Sequence, residues 1–287
     1  MKVLSFSLSV GLIVASFSVG LILPLSPVGQ AEAAGANIPA LNMIPHRALY
    51  KMTLLRADRE SGLIGAGGVM AYKFANSCDG WITESSVYLR FSYEEGEDIE
   101  TTWAFTSWEA FDGLKYRYRM KQTRNGEEME VLQGEANKAK SSGQGKAVFT
   151  IPEGTEIDLP EGSLFPTRHL ISVLGKASSG EKSISRYVFD GASLDNPYEI
   201  NAIITNRTSK PSHEGALVNP KLSGKSPLRQ HIQMAFYPFA SQVSLPEFEL
   251  SADYRSNGIA EFIRQDFGDF ILDLVPETIE ELERPAC

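Results

Sequence analysis

The stretch Leu114-Lys115-Tyr116-Arg117-Tyr118-Arg119-Met120-Lys121-Gln122-Thr123-Arg124-Asn125-Gly126 alternates apolar and cationic residues almost without a break. Successive side chains of a strand point to opposite faces, so Tyr116, Tyr118 and Met120 belong to one face and Lys115, Arg117, Arg119 and Lys121 to the other. Asn125-Gly126 tolerates the left-handed backbone region and marks a two-residue hairpin turn. That turn sets Arg124 opposite Glu127, Lys121 opposite Glu130 and Met120 opposite Val131, so charge and hydrophobicity agree across the pair.

The same period of two extends in both directions from the hairpin. Ala48, Tyr50, Met52 and Leu54 form one inward set, and Met70, Tyr72 and Phe74 form another after a glycine-rich turn. Trp81, Thr83, Ser85, Val87, Leu89, Phe91 and Tyr93 follow, then Ile99, Thr101, Trp103 and Phe105. Ala136 to Lys146 reads as a polar loop before Ala147, Phe149 and Ile151. The period changes once, at Leu164-Phe165-Pro166-Thr167, where proline suits a first helical turn and Leu170, Ile171, Val173 and Leu174 recur at helical spacing. Ser178-Ser179-Gly180 ends this helix. Strands resume at 184–189, 198–204, 228–236, 248–255, 259–267 and from Phe270, with a long Ser/Pro/Gly-rich loop over 205–227. Ten to twelve short strands and one helix predict a mostly β fold, an antiparallel sheet curved far enough to bury its own face.

Residues 1–33 read as a signal peptide: Lys2, an apolar run from Val3 to about Leu25, then Ala31-Glu32-Ala33 as an A-x-A cleavage site. An uncleaved anchor is the alternative, against which Pro24 and Pro27 would break a spanning helix. Residues 34–287 are then expected to form a single domain with no further membrane span. Cleavage removes one charge of each sign and leaves the net charge at -9, which disfavours nucleic acid and anionic membranes as partners. Export also bears on Cys78 and Cys287, the only cysteines. In an oxidising compartment two lone cysteines form one disulfide, the alternatives being free thiols or a bond to another chain. With no C-x-x-C spacing and four scattered histidines (His46, His169, His213, His231), a metal site is not expected.

The sequence holds no G-x-S-x-G, H-E-x-x-H or complete phosphate-binding loop, since Asn219 stands where the latter needs its first glycine. Asp266-Phe267-Gly268 has none of the other kinase signatures around it. The carboxylates of Glu94-Glu95-Gly96-Glu97-Asp98 could serve a glycosidase, but an acidic loop is ordinarily just solvated. Asn206-Arg207-Thr208 matches a glycosylation sequon and reads as incidental. No catalytic residue and no cofactor is therefore assigned. The candidate ligand-binding residues are Tyr116, Arg117, Tyr118 and Arg119. Either the cationic face is solvated with the tyrosines inward, or Arg117 and Arg119 line a cavity for an acidic or amphipathic ligand.

Several short motifs together resemble one family. They are Pro45-His46-Arg47-Ala48-Leu49-Tyr50, Cys78-Asp79-Gly80, Leu164-Phe165-Pro166-Thr167 with His169-Leu170, Phe189-Asp190-Gly191, Asp266-Phe267-Gly268-Asp269-Phe270 and Arg284-Pro285-Ala286-Cys287. In order and in cysteine placement this set is similar to the EipB family of periplasmic cell-envelope integrity proteins. Ser226-Pro227 departs from it where an aromatic is expected before the proline. The resemblance implies a β-spiral or broken barrel around a helix, a disulfide from the first third to the C-terminus, and a non-enzymatic role in envelope integrity under stress. It also implies a small amphipathic cavity and a link to a periplasmic tetratricopeptide-repeat protein. The function expected is that of a binding or scaffold module. A lipid or lipoprotein carrier with an amphipathic lumen is the alternative, and a hydrolase of envelope glycans a third class.

Overall fold

The computed structural model describes residues 43–207, 229–239 and 244–287. Every described residue belongs to one compact unit, 37–287. The predicted signal peptide, the sequon's Thr208, most of the 205–227 loop and the Ser226-Pro227 departure lie outside the described residues.

Fourteen strands form one antiparallel sheet: β1 (His46–Ala57), β2 (Leu63–Asn76), β3 (Gly80–Tyr93), β4 (Ile99–Ala110), β5 (Lys115–Arg124), β6 (Glu127–Lys138), β7 (Gly145–Ile151), β8 (Glu156–Leu159), β9 (Ser183–Val188), β10 (Tyr198–Arg207), β11 (Arg229–Pro238), β12 (Phe248–Arg255), β13 (Ala260–Asp266) and β14 (Phe270–Glu281). The helix α1 (Pro166–Ser178) falls between β8 and β9. Sheet order runs β8-β7-β6-β5-β4-β3-β2-β1-β14-β13-β12-β11-β10-β9, so each strand pairs with its neighbour in sequence except where β14 closes onto β1. The two edges, β8 and β9, do not pair with each other, and the sheet is an open spiral rather than a closed barrel.

The seam is filled instead by the segment that joins the edges. Leu164 donates its N–H to the Tyr187 carbonyl and accepts from the Phe189 N–H, which tucks the end of β9 inside the turn of sheet formed by β4 to β7. There Phe165 and Phe189 are fully buried, the first stacked on Tyr116 and the second edge-on against Tyr118, both from β5. The Tyr116 hydroxyl donates to the Asp190 carbonyl at 2.9 Å.

The helix needs an unusual cap. Its N-cap residue is Phe165, which has no side-chain acceptor for the first exposed N–H groups. Glu109 of β4 supplies one across the core, accepting from Thr167 N at 2.7 Å and Arg168 N at 2.9 Å. From this anchor Ile171, Val173, Leu174 and Ala177 pack against Ile184, Ile200, Ile204 and Ile232 of the β9 to β11 wall.

Cys78, in the β2–β3 turn, is bonded to Cys287, with Cα atoms 5.6 Å apart at a sequence separation of 209. The bond fixes the tail beyond β14, which is also held by Leu282 N to the Pro45 carbonyl and by Arg284 to the Met43 carbonyl.

Three local expectations are corrected. The Asn125-Gly126 turn forms, with Arg124 opposite Glu127, but an extra residue at Met129 shifts the register beyond it. Lys121 faces Val131, Met120 faces Leu132, and Glu130 faces Gln122. An unbulged hairpin would have turned Gln133 and Glu135 inward, whereas the bulge turns Leu132, Gly134 and Ala136 inward and leaves Gln133 and Glu135 opposite Arg119 and Arg117. Second, the expected loop over 136–146 is shortened to 139–144, because β6 continues to Lys138 and β7 begins at Gly145. Ala136, fully buried, carries the inward alternation through a stretch whose composition is polar. Third, β8 is a four-residue strand too short to register as a periodic pattern, which raises the strand count above ten to twelve.

Candidate functional site

The spiral leaves a lumen that its side chains do not fill. A cavity of about 690 Å³ lies between the wall of β1 to β5 and β14 and the wall of β10 to β13. Its volume is within the range of small-molecule sites. Most of the lining is apolar or aromatic, because the inward phase of these strands carries Tyr50, Met52, Met70, Val87 and Leu89 on one side and Phe236, Leu250, Tyr254 and Ile263 on the other.

Antiparallel pairing places the β1–β2, β3–β4, β5–β6, β11–β12 and β13–β14 connections at one end of the sheet. The lumen opens at this end, where Glu247 and Phe267 are both exposed and part of the lining. At the other end His46, 2% exposed, lies beside Tyr72, and Leu170 of α1 closes over the lumen.

Six rings arc through the opening: Tyr198, Phe236, Phe248, Phe267, Phe270 and Phe91. Successive centroids lie 6.1, 5.2, 5.0, 4.8 and 5.6 Å apart. All six line the cavity. Such edge and offset contacts hold rings in place, so the mouth is a framed aperture. At the same end of the sheet Leu55, Ile64, Met129, Phe239 and Leu245 are exposed, Leu245 at 76%.

Polar groups are few. Tyr50 is spoken for, its hydroxyl donating to the Ala260 carbonyl at 2.9 Å. His46 has its Nδ1 2.8 Å from the Ile44 carbonyl, and burial lowers its pKa, so it is neutral at neutral pH. Asp190 accepts from Ala192 N and from Asn196 Nδ2, while burial raises its carboxyl above the ordinary value. Glu247 takes the Tyr198 hydroxyl at 3.5 Å and is raised by burial and by the nearby charge of Asp195.

The model of the EipB-like family matches residues 37–283. The chain belongs to the EipB-like family. Cell envelope integrity protein EipB of Brucella abortus (strain 2308) is 30% identical over 249 residues, which is 84% of this chain and 85% of that protein. A crystal structure of a beta-barrel-like protein of a domain of unknown function, also from Brucella abortus, is similar with a TM-score of 0.76 and 26% identity, covering 85% of this chain and all of that one. The open spiral closed by one disulfide is thus an EipB-like fold.

Within this EipB-like lumen none of the four sequence-derived candidates lines the wall. Tyr116 and Tyr118 are packed into the separate core of β4 to β7. Arg117 and Arg119 are on the exposed outer face, the first stacked over Trp108 with its guanidinium carbon 4.8 Å from the ring and the second donating to Gln133. The solvated reading of this strand therefore replaces the cationic lining. Period two already required it: if the tyrosines point inward, the arginines cannot. We expect Arg117→Gln with Arg119→Gln to change stability by less than about 1 kcal/mol in a thermal melt and to leave ligand binding in the lumen unchanged. A clear loss of binding would return the arginines to the site.

The residues that sequence reasoning missed are the arc of rings. Each is inward in its own strand or turn, and Phe267 was noticed only within Asp266-Phe267-Gly268. That triplet makes the turn, with Gly268 N donating to Asp266 Oδ1 at 2.9 Å. Marking the inward phase of every strand would have found most of the arc; that the rings meet depends on strand order.

Proposed function

We propose that this protein is a non-enzymatic periplasmic component of cell-envelope integrity that works by holding an amphipathic ligand in the lumen of its β-spiral. The observation that carries the reading is the lumen itself: about 690 Å³, apolar in depth, framed by fixed rings and open at one end. The envelope role draws support from the relative named for it in Brucella abortus. Burial of an apolar chain there would be driven by the area it removes from water. Carrier function for a lipid or lipoprotein is the second reading, favoured by the exposed apolar residues at the open end of the sheet, which suit transfer between apolar surfaces. The tetratricopeptide-repeat partner implied by the family resemblance belongs to the same proposal.

The test is ligand capture. Protein purified without detergent is extracted and the extract analysed by mass spectrometry, and the neutral dye Nile red is titrated into wild type and Val87→Trp. Val87 borders the void, so the indole is expected to fill space rather than displace core. Affinity for the dye should fall at least roughly tenfold while the melting temperature stays close to that of the parent. Equal dye affinity in both proteins would place binding elsewhere.

A further inference from the structure

The lumen wall carries fixed charge of one sign only. Of the described side chains that line it, Asp190 and Glu247 are the carboxylates, and no lysine or arginine is among the described residues of the wall. The histidine of the wall, His46, is buried and bonded through Nδ1 to a backbone carbonyl. Both carboxylates lie around the Tyr198 hydroxyl, near the mouth, and the adjoining β3–β4 connection adds Glu94, Glu95 and Glu97, Asp98 being paired with Arg90. A head group entering an apolar chain's length into this site would rest beside Glu247, the exposed carboxylate of the wall.

Ser85 is 9% exposed and faces the lumen, yet its hydroxyl has no hydrogen bond to any described residue. The amides of Gln122 and Gln265, on opposite walls near the mouth, likewise bond to no described residue. Gln122 and Gln265 are half-buried and meet water, whereas Ser85 is buried, so its hydroxyl on the lumen wall is available to a ligand with hydrogen-bonding capacity.

We propose that the lumen selects an amphiphile bearing a cationic head group, an apolar chain ending in a protonated amine, and discriminates against anionic amphiphiles such as fatty acids. The inference rests on the lumen reading above and adds the sign of the ligand. An anionic head at this position would face two carboxylates of like charge with no cation among the described residues of the wall to offset them, whereas an ammonium group would pair with Glu247 and donate to the glutamine and serine oxygens. Asp190 contributes field rather than contact through the oxygen that the Ala192 N–H and Asn196 already hold.

The experiment compares three amphiphiles of equal chain length, dodecylammonium, dodecyl maltoside and laurate, each below its micelle concentration, as competitors of Nile red in wild type and Glu247→Gln. Glu247 is exposed, so the variant is expected to fold. In wild type at low salt, dodecylammonium should displace the dye at a concentration roughly tenfold below laurate, with the maltoside between them. The ratio should shrink in Glu247→Gln and at high salt. Equal potency of the two ions, or a preference for laurate, would overturn the charge selectivity and leave the lumen reading standing. Failure of Nile red itself to bind would overturn the lumen reading and the inference with it.

Discussion

Oxidised protein carrying Cys287→Ser is expected to melt roughly 10 °C below the parent while keeping its strand content. The Cys78–Cys287 bond closes a loop of 209 residues, and restricting so long a loop in the unfolded chain is worth up to about 5 kcal/mol. The native contacts around it are largely independent of the bond. β14 pairs with β1 from His46↔Glu281 to Ala57↔Phe270 and with β13 on its other side, and the tail keeps its bonds to Pro45 and Met43. Losing the link therefore raises the entropy of the unfolded state more than it damages the folded one. Reduction of wild type should reproduce the shift. A melting temperature unchanged under oxidising conditions would refute the argument, and a chain unfolded at 25 °C would make the bond a condition of folding rather than a restraint on unfolding.

Glu109→Ala is the second large effect, expected near 3 kcal/mol at pH 5 in chemical denaturation. The side chain is 1% exposed and accepts both Thr167 N and Arg168 N, so its removal leaves two buried donors without partners at a helix end that has no cap of its own. Lys138 is part of the same assembly, its ammonium 2.6 Å from the Ser163 carbonyl and 4.9 Å from the Phe165 ring, with its pKa lowered to about 8 by burial. Burial likewise pushes the Glu109 carboxyl from 4.5 up to about 7, against the two N–H bonds that pull it down. A raised carboxyl pKa means that the folded protein binds this proton more tightly than the unfolded chain. The contribution of Glu109 is thus fully present below about pH 4.5 and declines as pH rises towards 7. The cost of Glu109→Ala should shrink over that interval, and Glu109→Gln, which keeps the volume and one acceptor, should lack the pH dependence. A cost that grows with pH would show that the buried carboxylate is held ionised.

Much of this architecture is written locally. Alternation in Leu114 to Met120 fixed which side chains of β5 face inward, Asn125-Gly126 fixed its turn, and the single change of period at Leu164 to Leu174 located the helix. Where composition and burial disagree, the local signal fails: Ala136 to Lys146 is polar enough to read as a loop, yet Ala136 is fully buried because the strand beneath it needs a small inward residue. The hairpin register failed for a related reason. The turn alone specifies an even pairing, but the core rewards turning Leu132 and Ala136 inward, and one extra residue at Met129 reconciles the two.

The candidate site was hardly legible at all. Alternation assigns a side chain to a face and says nothing of which other strand that face meets. The cationic strand drew attention because its charges are adjacent in sequence, while the arc from Tyr198 through Phe236, Phe248, Phe267 and Phe270 to Phe91 draws on residues 91 to 270 and exists only once the sheet has curled. The same holds for Glu109 under the helix and for the acidic mouth of the lumen. Most of the strands, the Asn125-Gly126 turn, the helix and the pair of cysteines could be read from the amino-acid sequence, because those depend on neighbours within a few residues or on there being no other partner. Strand order, the tucked seam, the lumen and the sign of its charge were decided only by the tertiary structure, because they depend on contacts across one to two hundred residues that no local period encodes.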